Sequence, residues 1–113
     1  MAATLTISAG VVDSLTSNPS SVIGYSSTKN IVINGDITHT QASALKGVAS
    51  PSITATVEQT TVANLKAITT LSGRTNAFKF TTSDSTASAS DLNAVKALTT
   101  TTPDFASVTA VSA

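Results

Sequence analysis

Ile53-Thr-Ala-Thr-Val57 alternates large aliphatic and smaller residues, and eight positions after Val57 stands Leu65, which opens Leu65-Lys66-Ala67-Ile68. Ile33-Asn-Gly-Asp-Ile37 leads, over the same eight positions, to Leu45-Lys46-Gly47-Val48, and Thr40 and Thr60 occupy matching places in between. Alternation with β-branched residues predicts a strand. A hydroxyl residue ahead of a leucine-bearing segment predicts a capped helix, because its oxygen can accept from one of the free amides of the first turn. The phrase therefore reads as a strand-then-helix unit used more than once.

Weaker copies extend it in both directions. Val95-Lys96-Ala97-Leu98 repeats the helical part, with Ser90 in the cap position and Ala87 in the place of Val57. Upstream, Ile7 precedes Leu15 by eight residues, with Gly10 where the cap should be. Four rungs anchored on Leu15, Leu45, Leu65 and Val95 follow, separated by 30, 20 and 30 residues. Units this short cannot bury an apolar face alone and must stack to make a core. The unequal steps place insertions at Thr16 to Asn30, which contains Asn18-Pro19, and at Ser72 to Thr86, a Ser/Thr/Asp-rich run. The expected fold is α/β, a short solenoid-like stack of strand-helix repeats with a mainly parallel sheet, forming a single repeat-built domain over residues 1–113. The competing expectation is an all-β sandwich, since Thr and Val favour strands.

Predicted strands are Thr4 to Ile7, Asn30 to Ile33, Ile53 to Val57, Ala77 to Thr81 and Ser107 to Val111. Predicted helices are Val11 to Thr16, Gln41 to Val48, Thr61 to Leu71 and Ser90 to Leu98, with Thr40, Thr60 and Ser88 or Ser90 as N-caps and Asp91 against the positive end of its helix dipole. Pro51 and Pro103 follow two of these helices and help to stop them. Val22-Ile23-Gly24-Tyr25 is a short apolar piece with no assigned place.

Composition narrows the class. The 113 residues are 41% hydrophobic and only 11% charged, and Ala, Ser and Thr make up about half of them. A mean hydropathy of +0.25 sets the chain apart from disordered sequences. Six Lys or Arg balance six Asp or Glu without a basic block, so nothing recommends nucleic acid or an anionic membrane as a partner. The absence of cysteine removes disulfides, thiolate metal sites and a cysteine nucleophile. The N-terminal stretch lacks the basic and apolar regions of a signal peptide, and Ser, Thr and Asn interrupt every aliphatic cluster. Synthesis in the cytoplasm is expected.

Catalytic candidates are few. His39 is the sole histidine, and Asp36 lies three before it, but the equivalent positions of the next rung are Thr56 and Gln59, which reads the pair as polar loop residues. Asn34-Gly35 signals a tight turn. The six acidic residues are dispersed and form no calcium loop, and the five glycines form no phosphate-binding loop. Lys46, Lys66 and Lys96 share one repeat position and are expected to make a solvated ladder on the helical face. Phe78 and Phe80 flank Lys79 and should point together into the core. Thr4-Leu-Thr6 and Thr54-Ala-Thr56 would stack into a threonine ladder, but Asn34 and Asp36 break it. No catalytic residue, cofactor or metal is expected.

The segments Ile53-Thr-Ala-Thr-Val57, Thr60-Thr-Val-Ala-Asn-Leu-Lys-Ala-Ile68 and Ala42-Ser-Ala-Leu-Lys-Gly-Val48 resemble the Ala/Thr-rich repeats of large marine cyanobacterial surface proteins and of cyanophage virion proteins over Asn30 to Thr99. The resemblance implies a non-enzymatic structural protein of a larger assembly, a phage head decoration or knob protein on the virion surface, with further copies of itself or the major capsid protein lattice as partner. The alternative, ranked second, is a cell-surface adhesion or carbohydrate-binding repeat module at the extracellular surface. Exposed end strands are the expected interface: Thr4, Leu5, Thr6 and Ile7 at one end, and Val108, Thr109 and Val111 at the other.

Overall fold

The computed structural model describes residues 3–71 and 73–112. Its strands are β1 (Thr4–Ser8), β2 (Asn30–Ile37), β3 (Ser52–Val57), β4 (Thr75–Lys79), β5 (Thr86–Ser88) and β6 (Ala110–Ser112). Its α-helices are α1 (Val12–Ser17), α2 (His39–Ala44), α3 (Val62–Lys66) and α4 (Ala89–Ala97). β1 to β4 form a parallel sheet in the order β1-β2-β3-β4, and β5 pairs with β6, also in parallel. The fold is therefore α/β with parallel pairing, and the sandwich alternative is set aside.

The last two sheet segments are longer than their strands. Bridges Thr60↔Thr82 and Thr81↔Asp104 join the stretch after β3, the stretch after β4, and the chain beyond α4. Hydrogen bonds from Thr100 N to Asn76 O, Asp104 N to Phe80 O and Thr109 N to Ser85 O align residues 100–112 beside residues 76–88. β1 thus lies at one end of the strand order and the segment 100–112 at the other.

The helical anchors fall where the repeat puts them. Leu15, Leu45, Leu65 and Val95 are all fully buried, together with the strand residues Ile31, Ile53 and Phe78 and with Phe80 just after β4. The two phenylalanine rings meet edge to face with centroids 6.2 Å apart, a favourable contact for aromatic quadrupoles. Truncating a side chain so enclosed leaves a cavity that the surroundings fill only in part.

The strand register departs from the repeat. Ile7 pairs with Ile33 rather than with Ile37, while Ile37 pairs with Val57 as the spacing implies. Between Val32↔Thr54 and Asp36↔Thr56, β2 carries two extra residues, and Gly35 absorbs them at φ +94°. Asn34-Gly35 is thus a bulge inside a strand and not a tight turn; the glycine has the permissive φ in both cases, but the chain continues in the same direction. Ala87 pairs with Val111 and does not stand beside Val57, because β4 arrives first, within the segment read as an insertion.

Helix limits moved for local reasons. The caps of α2 and α3 are Thr38 and Thr61, not Thr40 and Thr60. Thr38 forms a reciprocal capping box with Gln41, at 3.0 Å from Gln41 N to Thr38 Oγ1 and 2.9 Å from Thr38 N to Gln41 Oε1. Ser88, one of the two expected caps, caps α4 in place of the Ser90 that the repeat position indicates, and Asp91 sits in the first turn as expected. α3 ends at Lys66, well short of Leu71, and a 3-10 turn over Leu45–Gly47 follows α2. The last predicted strand, Ser107 to Val111, shortens and shifts to Ala110–Ser112.

Candidate functional site

The residues expected to form an interface lie at the two ends of the strand order. In β1, Thr4 and Thr6 are exposed, Leu5 is half-buried and Ile7 is buried in the core. Asn30 N donates to Ala3 O at 2.8 Å, so alternation along a parallel strand directs the backbone groups of Leu5 and Ile7 toward β2 and those of Thr4, Thr6 and Ser8 away from it. No described strand receives them. At the far end, Val108 is half-buried against the core, Thr109 N donates to Ser85 O at 2.8 Å, and Val111 is 60% exposed. β6 likewise pairs on one side only among the described residues.

Ile23 finds its place here. It is 95% exposed and lines, with Thr6, Ile7, Val11 and Val22, a depression of about 650 Å³ beside β1. Gly24 at φ +90° turns the chain just after it, and Tyr25 Oη donates to Ala49 O at 2.8 Å, tying this excursion to the loop before β3. Ile23 and Val111 are the exposed large hydrophobic residues of the described chain, one toward each end. The interface reading from sequence included Val111 but not Ile23, although the unplaced Val22-Ile23-Gly24-Tyr25 piece was a usable signal.

The polar candidates do not converge. Asp36 lies exposed on the bulge of β2, and His39, half-buried, is the first residue of α2. Among the described residues, no three His, Asp or Glu side chains group so as to hold a metal. The lysine ladder is interrupted electrostatically: Lys66 Nζ lies 3.0 Å from Asp91 Oδ1, both partly exposed, while Lys46 and Lys96 sit exposed in the last turns of their helical segments. Such a pair contributes little to stability in solvent. No described helix is long and apolar enough to cross a membrane.

Sequence reasoning missed Arg74, the one arginine of the chain. It is 8% exposed. Its Nη1 donates to Leu45 O at 3.0 Å and to Val48 O at 2.7 Å, at the C-terminal end of the α2 segment, and Nε donates to Asn76 Oδ1 at 2.8 Å. A cation at that end complements the negative end of the helical segment, where Leu45 O also accepts from Val48 N at 3.0 Å. Burial lowers the pKa of the guanidinium from its ordinary value by removing water from the charged form.

The chain matches no protein-family model, no curated protein and no solved structure.

Proposed function

We propose that the chain is a non-enzymatic structural protein, a short solenoid-like stack of strand-helix rungs whose ends bind neighbouring subunits in a larger assembly. One observation carries this reading: each terminal strand keeps an unpaired edge among the described residues, and the exposed hydrophobics Ile23 and Val111 lie toward those same two ends. Unpaired amides and carbonyls on an edge are templates for another strand, and an apolar side chain beside them adds burial when it is covered. Because all pairings are parallel, the edge of β6 in one copy and the edge of β1 in the next run in the same sense, which suits head-to-tail contact. Balanced charge, six residues of each sign, puts little long-range repulsion between close-packed copies.

Within that class, we assign the protein to the surface of a phage head, as a decoration or knob protein seated on the major capsid protein lattice. This assignment rests on the likeness of Ile53 to Ile68 and Ala42 to Val48 to cyanophage virion repeats. Gradient-purified virions analysed by mass spectrometry test it. Recovery in a fixed, high copy number relative to the major capsid protein is expected; recovery only as a free monomer, absent from particles, overturns it.

A further inference from the structure

Arg74 does not engage all of its donors at the helix end. Its bonds to Asn76, Leu45 and Val48 engage Nε and Nη1, while Nη2 is buried with no partner among the described residues. The ion pair found among those residues is Lys66 with Asp91, so no described carboxylate offsets the guanidinium. A buried cation without a counter-charge and with free N–H groups is a costly arrangement for structure alone, since the same carbonyls could be satisfied by neutral donors. Arg74 also forms part of the wall of a cleft of about 310 Å³ shared with Thr70, Leu71, Asn76, Leu98 and Thr100.

The walls define what fits. Asn76 Nδ2 already donates to Leu71 O and Arg74 O, and the hydroxyl of Thr99 is held by Phe78. That leaves Arg74 Nη2 and the hydroxyls of Thr70 and Thr100 as donors, beside the apolar side chains of Leu71 and Leu98. Arg74 is the one charged residue of a lining that is otherwise polar and apolar in similar measure. A phosphate would surrender hydration to leucine, whereas a monoanion with a short hydrocarbon tail would not.

We propose that this cleft binds a small organic monocarboxylate, its carboxylate on Arg74 Nη2 and the two threonine hydroxyls, its carbon chain against Leu71 and Leu98. Nη2 is buried, while Thr70 is half-buried and Thr100 exposed on the wall of the cleft, so binding in this way requires side chains of the wall to shift and uncover Nη2. The charge-assisted bond is stronger than a neutral one in such surroundings.

Amide NMR titration of the full chain with sodium butyrate, sodium acetate and inorganic phosphate, each against sodium chloride at equal ionic strength, tests the proposal. Butyrate should give saturable shifts at Asn76, Leu98 and Thr100 and bind about tenfold tighter than acetate, from two further buried methylenes. The double variant Thr70→Val with Thr100→Val, which keeps every bond of Arg74, should bind butyrate at least about tenfold more weakly. Arg74→Gln should abolish binding, but it also strips donors from Leu45 and Val48, so the threonine variant keeps the test decisive if Arg74→Gln does not fold. Absence of saturable shifts with butyrate, tighter binding of phosphate than of butyrate, or unchanged affinity in the threonine variant would each overturn it.

Discussion

At Gly35 a single residue reconciles two strand registers. A Cβ there would approach Ala9 Cβ to 3.3 Å, and the φ of +94° is one that L side chains rarely adopt. Gly35→Ala should therefore destabilise the chain by about 1–2 kcal/mol in urea unfolding, against a near-neutral Gly47→Ala, whose added Cβ meets nothing within 4 Å. Phe78 and Phe80 sit at the other extreme, fully enclosed and in contact. Phe78→Ala should cost about 3–5 kcal/mol, read by the same denaturation, and the double variant should cost less than the sum because the rings share a contact. The inward direction of both rings was legible from Phe78-Lys79-Phe80 alone. Arg74 was not, because its partners are backbone carbonyls of Leu45 and Val48, far away in sequence and without side-chain signature.

Among the elements, helices were easier to locate than their first residues. Thr38 and Thr40 both offer a hydroxyl near α2, and the choice falls on Thr38 because Gln41, three residues on, can return a bond to its amide. Thr38→Ala should lower stability by about 1 kcal/mol while Thr40→Ala changes it little, a contrast that paired thermal melts can read. α3 stops early because Ile68 N bonds to Leu65 O in a tighter turn and Thr69 N takes the hydroxyl of Ser43. Ser43, 26 residues away, is a tertiary partner that local propensity does not encode. β5 is marked in the sequence only by Ala87 at the strand-end place of its rung and not as a strand, because Thr86-Ala-Ser88 holds no large apolar residue and pairs with β6 far along the chain. The leucine anchors were legible since periodic burial writes itself into sequence spacing, whereas the two-residue excess in β2 shifts the pairing without altering that spacing.

For the whole molecule, the sequential order β1-β2-β3-β4, extended by residues 100–112, leaves two different edges at its two ends. In the proposed assembly, two unlike ends joined head to tail would propagate until something caps them, in contrast to a two-fold dimer of like ends. Thr6 is the residue at which this can be interrupted selectively, because its backbone groups face away from β2 and proline at an outer edge removes a donor without breaking the inner ladder. Sedimentation velocity of the full chain and of Thr6→Pro over a range of concentrations tests the proposed association directly. Head-to-tail contact predicts species larger than a monomer that grow with concentration in the natural sequence and collapse to a folded monomer in Thr6→Pro; a natural sequence that stays monomeric at every concentration, or a Thr6→Pro variant that associates equally well, would contradict it.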